Sequence, residues 1–113
     1  MLDDVTSVTL ATAMSALSQQ QRVSADNLAN LETAGYTAQR VSFEDSLRAA
    51  VGSGHPSSAK VSITPSTDAP GVNGNNVSLN AEMVIEQKNN TQFQLLTTAI
   101  SAKFDLISDA IKG

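Results

Sequence analysis

The chain contains no cysteine and no tryptophan, and aromatic residues make up only 4 % of its 113 positions. Disulfides and thiolate metal sites are therefore excluded, and cysteine usage gives no indication of the compartment. A hydrophobic fraction of 41 % with so few aromatics fits helices packed through Ala, Leu and Ile better than a large aromatic-lined cavity. The length allows one domain, 1–113.

Positive charge is also scarce, since seven Lys and Arg stand against eleven Asp and Glu, for a net charge of −4. The seven are scattered, whereas nucleic-acid binding needs clustered Lys and Arg, so we expect no nucleic-acid partner. No apolar run approaches the ~20 residues that span a bilayer, so we expect no direct membrane insertion. The first residues carry acids where a secretory signal has a basic region, and we expect no cleaved signal peptide.

What the sequence does have is a long amphipathic pattern at each end, the first over residues 5–33. At 100° per residue its apolar side chains share one sector, and polar side chains lie opposite. Asp3 or Asp4 is expected to cap the start of this helix, and Gly35 to close its end. The apolar sector, which we expect to pack against a second helix, contains Leu10, Ala13, Met14, Leu17, Leu28 and Leu31.

The second amphipathic pattern covers residues 79–112 and predicts a helix about 50 Å long. Its main apolar row, expected to pack against the first helix, contains Phe93, Leu96, Ile100, Phe104, Ile107 and Ile111. A further row widens the apolar surface and consists of Leu95, Ala99, Ala102, Leu106 and Ala110. One neighbouring helix would cover only one of these rows, so the additional row predicts contacts with more than one neighbouring helix.

Polar residues interrupt both apolar rows and indicate how the helices pair. Gln21 and Ser24 interrupt the first row, and Glu82, Glu86 and Asn89 continue the second. Because buried polar groups need partners, we predict an antiparallel pair with Gln21 near Asn89 and Ser24 near Glu86. This register places Leu17 beside Phe93, Met14 beside Leu96, Leu10 beside Ile100, and Leu31 beside Leu79.

The segment 34–78 between the two patterns predicts a short helix and an irregular loop. Ser42 is expected to cap a helix running through about Val51, and Val61 and Ile63 alternate with polar residues as in a short strand. Gly, Ser, Pro and Asn dominate 52–78, which we expect to be mobile or ordered only by neighbours. The predicted fold is mainly α, with two long terminal helices forming an antiparallel coiled-coil-like pair and little β.

Two motifs in the chain are similar to those of the bacterial flagellar basal-body rod protein family. The first resembles the family's Asn-(Ile/Leu)-Ala-Asn-x-x-Thr-x-Gly-Tyr run and consists of Asn27, Leu28, Ala29, Asn30, Thr33, Gly35 and Tyr36, followed by Val41, Phe43, Glu44 and Leu47. The second consists of Asn76, Val77, Leu79, Glu82, Met83, Asn89 and Phe93. The chain departs from the family pattern at Ala34 (usually Pro), Ser78 (usually Asp) and Phe93 (usually Tyr).

The resemblance, which is strongest to the proximal rod members, implies a structural subunit of the rod in the periplasmic part of the basal body. It implies assembly through the terminal helices with copies of itself and other rod proteins, next to a rod-base protein, the membrane ring and the export gate. It also implies type III export without a cleaved signal. The alternatives are another rod member of the family, or a non-polymerising helical adaptor in the export apparatus.

No residue pattern predicts a catalytic, cofactor-binding or metal site. Glu82 and Glu86 lie one turn apart, but no His, Cys or Ser accompanies them at a recognisable spacing, so we expect solvated or inter-subunit contacts. His55 lies in a Gly-Ser-Pro loop and is expected to be exposed. Asn27 and Asn30 are expected to bond to the backbone of the following turn or of a neighbour.

Overall fold

A computed structural model describes residues 4–112 and confirms a mainly α fold in which two long terminal helices are in contact. The elements in chain order are α1 (Val5–Ala29), β1 (Gln39–Ser42), α2 (Glu44–Gly52), a 3₁₀ turn (Pro56–Ser58), β2 (Ser62–Pro65) and α3 (Leu79–Lys112). The molecule measures 64 × 25 × 14 Å with a radius of gyration of 17.6 Å. A compact chain of this length would have about 13 Å, so the helix pair makes the protein elongated.

Helix α1 begins as predicted and ends early. Asp4 is its N-cap, and its Oδ1 accepts a hydrogen bond from the Ser7 backbone N–H at 2.7 Å; Asp3 lies outside the described residues. The helix ends at Ala29 rather than at residue 33, with Asn30 as its C-cap, and the Asn30 side chain donates to the Asp26 carbonyl at 2.9 Å. Gly35 does not close the helix, but it adopts a left-handed φ of +74° in the turn that follows.

The pairing of α1 with α3 is antiparallel, as predicted. Lys103 lies 2.5 Å from Asp4 at one end of the pair. Ser24 donates to Glu82 at 2.7 Å at the other end. Residues near the start of α1 therefore lie beside the end of α3, and residues near the end of α1 lie beside the start of α3.

The predicted polar register is half right. Gln21 and Asn89 meet, with the Asn89 Nδ2 3.4 Å from the Gln21 Oε1. The predicted contact between Ser24 and Glu86 is wrong, because Glu86 accepts from the Gln21 Nε2 at 2.5 Å instead. The long Gln21 side chain reaches two positions of α3, whereas the short Ser24 hydroxyl reaches only the carboxylate one turn further toward the start of α3.

The apolar core lies midway along the helix pair. Leu17 and Ala16 of α1 are buried with Phe43, and Phe93 and Leu96 of α3 pack against this cluster, which agrees with the predicted register. Leu10 and Ile100 line one small cavity with Phe104. The predicted pairs Met14–Leu96 and Leu31–Leu79 stay predictions.

The segment between the helices is more ordered than the sequence predicts. β1 pairs with β2 as a two-stranded antiparallel sheet that sets Val41 opposite Ile63, and the connection between the strands contains α2 and the 3₁₀ turn. Ser42 belongs to β1 and does not cap α2; Phe43 occupies the N-cap position without a side-chain cap bond, because its ring is needed in the core. The expectation that 52–78 is mobile or ordered only by neighbours does not hold for its order, since the segment bonds within the chain to β1 and to residues 30–38.

The Asp4–Lys103 pair predicts an acid-dependent term in stability. The hydrogen bond from Lys103, with that from the Ser7 backbone, holds the pKa of Asp4 at about 2, below its ordinary 3.8. A depressed carboxyl pKa adds stability that is complete above the unfolded-state value and is lost as pH falls toward about 2. Asp4→Asn keeps a capping side chain but removes the charge, so its melting temperature should lie below that of the wild type at neutral pH.

The difference between the two proteins should shrink as pH falls from about 4 to about 2, because the wild type then loses the same charge. Thermal unfolding followed by circular dichroism measures this, with Asp109→Asn on the exposed surface of α3 as the matched control. A gap between Asp4→Asn and wild type that is unchanged down to the lowest pH would contradict the assignment.

Candidate functional site

The first motif of the sequence is built around the buried amide of Asn27. Its Oδ1 accepts from the Gln39 backbone N–H at 2.9 Å, and its Nδ2 donates to the Gln39 carbonyl at 2.9 Å. One side chain of α1 thus satisfies both backbone groups of the first residue of β1, as a neighbouring strand would. The same Nδ2 donates to Glu82 Oε1 at 2.9 Å, so Asn27 links α1 to both β1 and α3.

Glu82 is the common acceptor of this network. Its side chain is fully buried, and Oε1 also accepts from Arg40 Nη1 at 2.6 Å while Oε2 accepts from Ser24 at 2.7 Å. The expectation of a solvated or inter-subunit Glu82 is therefore wrong, because three donors from α1 and β1 compensate the buried charge. We call Ser24, Asn27, Gln39, Arg40 and Glu82 the Asn27 network.

Asn75, which no sequence pattern singled out, holds the turns that follow α1. Its Nδ2 lies 2.8 Å from the Asn30 carbonyl, 3.2 Å from that of Leu31 and 2.7 Å from that of Thr33. All three carbonyls belong to the turns that follow α1, so one buried amide fixes the path of the chain where it leaves the helix. Consecutive Asn residues just before a predicted helix were the available signal, because Asn side chains commonly bond to nearby backbone.

Asn76 fixes the loop on the other side. Its Oδ1 accepts from the Ala38 backbone N–H at 2.7 Å, and its Nδ2 donates to the carbonyls of Ser66 at 3.3 Å and Asp68 at 3.1 Å. Its own N–H donates to the Tyr36 carbonyl at 3.2 Å. The start of the second motif is thus bonded to the end of the first, and the loop between them is closed.

Two glycines let the turns after α1 and before α3 touch. The Gly35 N–H donates to the Asn73 carbonyl at 2.9 Å. A Cβ on Gly74 would lie 3.4 Å from the Gly35 Cα, and both glycines have positive φ, 74° and 80°. A side chain at either position would strain the backbone where the two motifs meet.

The structure brings part of the predicted motif together and leaves part on the surface. Phe43, Leu47 and Phe93 lie in or against the core. Leu28, Asn30, Tyr36, Glu44 and Val77 are half-buried, and Ala29, Thr33, Gly35, Leu79 and Met83 are exposed. Most of the motif is therefore internal architecture, and its five exposed residues lie on the surface of the single chain.

Helix α3 buries polar residues and exposes apolar ones. Glu82 and Asn89 are its only buried residues in the part of the chain that the structure describes. Phe104 and Ile111, which the sequence assigns to the helix pair, are 54 % and 80 % exposed. The outer row, defined as Leu95, Ala99, Ala102, Leu106 and Ala110, is exposed throughout. This surface has no counterpart within residues 4–112 that covers it.

A groove lies where α1, α2 and α3 meet, and sequence patterns gave no sign of it. Its volume is about 440 Å³. The apolar lining consists of Ala13, Leu17, Phe43, Leu47, Val51, Leu95 and Leu96, and the polar lining of Thr9, Glu44, Arg48 and Gln92. The groove exists because α2 is short and covers the helix pair only in part.

Residues 4–112 contain no cluster of three or more His, Cys, Asp or Glu side chains placed to hold a metal ion. His55 is exposed, as predicted, and its Nδ1 lies 2.9 Å from the Ser53 carbonyl. Within the same residues, every helix is too short or too polar to cross a bilayer.

A protein-family model matches part of the chain. Residues 9–37 match the family model described as flagella basal body rod protein. The match covers about a quarter of the chain, from α1 to the turn that carries Gly35 and Tyr36. No curated protein matches the chain. The match supports the flagellar basal-body rod family and a structural role in the rod.

Removing the buried charge of Glu82 should destabilise the fold. Glu82→Ala leaves Arg40, Asn27 and Ser24 without their shared acceptor and should lower the free energy of unfolding by about 3 kcal/mol, the range for breaking a buried ion pair. Glu82→Gln keeps the size and part of the bonding and should cost less. Urea unfolding measures both, with the exposed Glu32→Gln as control. A loss from Glu82→Ala no larger than that from the control would contradict the network.

The second site prediction concerns the direction of the Asn27 bonds. Asn27→Asp replaces a donor with an acceptor facing the Glu82 carboxylate and the Gln39 carbonyl, so it should destabilise the fold by about 2 kcal/mol. Adding Glu82→Gln supplies a donor and should recover part of that loss. The double-mutant cycle should give a coupling of at least about 1 kcal/mol. Additive losses would show that Asn27 does not face Glu82.

Proposed function

We propose that the chain is a structural subunit of the proximal flagellar rod, resembling the rod protein FlgB, and that it assembles through its two terminal helices. The observation that carries the proposal is the exposed apolar surface along α3, from Leu95 to Ile111. Its location is the periplasmic rod of the basal body.

Sequence features narrow the proposal to the proximal rod. The Phe43-Glu44-x-x-Leu47 run after Gly35-Tyr36 resembles FlgB, as does the apolar tail of α3. Distal rod and hook members usually carry larger domains between the two helices, whereas residues 34–78 hold a two-stranded sheet, the short helix α2 and a 3₁₀ turn. Another rod member of the same family is the nearest alternative.

The exposed surface supplies the free energy of assembly. Burying a Leu, Ile or Phe side chain contributes roughly 1.5–3 kcal/mol. Leu95, Phe104, Leu106 and Ile111 are each more than half exposed in the single chain, so neighbours in a rod would gain this amount several times over. A single chain that hides little of this surface is marginally stable, which favours unfolding for export through a narrow type III channel.

The proposed partners follow from the position in the rod. They are copies of the chain and other rod proteins, with the rod-base protein, membrane ring and export gate at the inner end. The acidic net charge of −4 gives no basis for a nucleic-acid partner. Export without a cleaved signal belongs to the same proposal.

Shortening or charging the end of α3 tests the proposal. Deletion of 104–111 removes the last two turns and should abolish rod assembly and swimming. Because deletion also removes stability, Leu106→Glu is the sharper variant: the side chain is 68 % exposed, so the fold should survive while a charge blocks burial. Ser101→Glu, exposed on another face of α3, is the control.

The readouts are circular dichroism of each purified variant, motility, and electron microscopy of basal bodies. We expect Leu106→Glu to keep wild-type helicity and to lose rods, and Ser101→Glu to keep both. Intact motility with loss of one soluble complex would favour the helical adaptor. Intact basal bodies in cells lacking the whole chain would reject both roles.

A further inference from the structure

We propose that Asn73 is a site of spontaneous deamidation, and that three hydrogen bonds of the folded chain suppress the reaction. Asn73 and Gly74 form the single Asn-Gly dipeptide of the sequence and lie in the turn before α3. The reaction needs only this chain and water, so it is independent of the proposed role in the rod.

The chemistry follows from the two residue types. The Gly74 backbone nitrogen attacks the Cγ of Asn73, so an N–Cγ bond forms, the Cγ–Nδ2 bond breaks, and ammonia leaves with the proton of the Gly74 N–H. One water then opens the resulting succinimide ring. Opening at Cγ leaves an aspartyl residue, and opening at the backbone carbonyl leaves an isoaspartyl residue. Gly74 has no Cβ to hinder the attack.

Exposure leaves the site accessible to water and base. Asn73 and Gly74 are both exposed, whereas Asn75 and Asn76, the next residues along the chain, are buried with their side-chain amides bonded to the backbone. Burial therefore protects those two amides and not Asn73. Protection of Asn73 in the folded chain has to come from hydrogen bonds.

The peptide group that carries the attacking nitrogen is bonded on both sides. Its carbonyl, that of Asn73, accepts from the Gly35 N–H at 2.9 Å, and its N–H, that of Gly74, donates to the Gly71 carbonyl at 3.0 Å. Because a peptide group is planar, these two bonds fix its orientation. Attack requires the plane to rotate until the nitrogen faces the Asn73 Cγ, and both bonds oppose that rotation.

The side chain that would be attacked is held as well. The Asn73 Oδ1 accepts from the Asn75 backbone N–H at 3.1 Å, a bond that Asn side chains commonly form in turns. The Gly71 N–H donates to the Asn75 carbonyl at 2.8 Å and closes the base of the same turn. Both reacting groups are thus fixed, so the reaction proceeds from a locally opened or unfolded chain.

The isoaspartyl product does not restore the turn. Its main chain runs through the former side chain and gains one methylene, and the carbonyl that Gly35 binds becomes a free carboxylate. The contact between Gly35 and Asn73 joins the two motifs of the sequence. We therefore expect the modified protein to melt at a lower temperature than the unmodified one.

Mass spectrometry of the full-length protein tests the proposal. The purified chain is incubated at mildly alkaline pH, either folded in buffer or unfolded in guanidinium chloride, and is then digested with trypsin. The peptide 61–88 contains Asn73 and also the exposed Asn80, which precedes Ala81 and serves as an internal control. We expect Asn73 to convert at least about tenfold faster in the unfolded chain than in the folded one.

A matched pair of glycine variants tests the role of the Gly35 bond. Gly35 and Gly54 have φ of 74° and 79°, and a Cβ on either would meet open space, so each change to Ala strains one turn to a similar extent. Only Gly35 donates to Asn73. Gly35→Ala should speed conversion of Asn73 in the folded chain by about fivefold or more, the size of left-handed strain. Gly54→Ala should leave the rate near that of the wild type.

Circular dichroism of both variants establishes that they are folded under the conditions of the incubation. Equal rates at Asn73 in the folded and the unfolded wild type would overturn the proposal, as would an unfolded chain in which Asn73 reacts no faster than Asn80. A Gly35→Ala rate no higher than that of Gly54→Ala would also overturn it. If Gly35→Ala does not fold, the comparison of folded with unfolded wild type decides alone.

Discussion

The buried carboxylate of Glu82 is the constraint on which the rest of the fold depends. A charge with no access to water is tolerated only where donors surround it, and here the donors come from α1 and β1. Forming those bonds fixes the register of the two long helices and holds β1 against both of them. Arg40 is held in β1, so the strand pairing and the helix pairing depend on the same ion pair.

The two ends of the molecule are stabilised in different ways. At the loop end, the Asn27 network and the amides of Asn75 and Asn76 satisfy the backbone within the chain. Toward the free end of α3, apolar side chains face outward and one ion pair, Asp4 with Lys103, joins the helices. Directional polar bonds specify geometry in a single chain, whereas apolar surface gains its free energy from whatever covers it. This arrangement fits a subunit whose own polar bonds define its fold and whose exposed apolar surface is stabilised when neighbouring subunits cover it.

Sequence patterns found the two helices and their antiparallel pairing but not the partners of each polar residue. The pair Gln21–Asn89 was predicted, and Ser24 was assigned to Glu86 instead of Glu82. The error arises because periodicity gives the face and spacing of residues but not how far each side chain reaches, and the long Gln21 side chain binds Glu86 while Ser24 binds Glu82. Glu82 was expected to be solvated or in an inter-subunit contact. Its cationic partner Arg40 lies in β1, and a strand of four residues is too short for an alternating pattern to reveal it. The sequence predicted only that Asn75 and Asn76 lie in a turn, because the carbonyl groups that their side chains bind belong to other segments of the chain.

By itself, the sequence determined the mainly α fold, the bounds of α3, the antiparallel order and the surplus of apolar helix surface. These properties follow from the spacing of apolar residues along one chain, which is local information. Tertiary structure alone decided that α1 ends at Ala29, that 52–78 is ordered, that Glu82 is buried beside Arg40, and that a groove opens beside α2. Each of those depends on groups far apart in sequence meeting at hydrogen-bond or van der Waals distance, and periodicity along the chain does not encode such meetings.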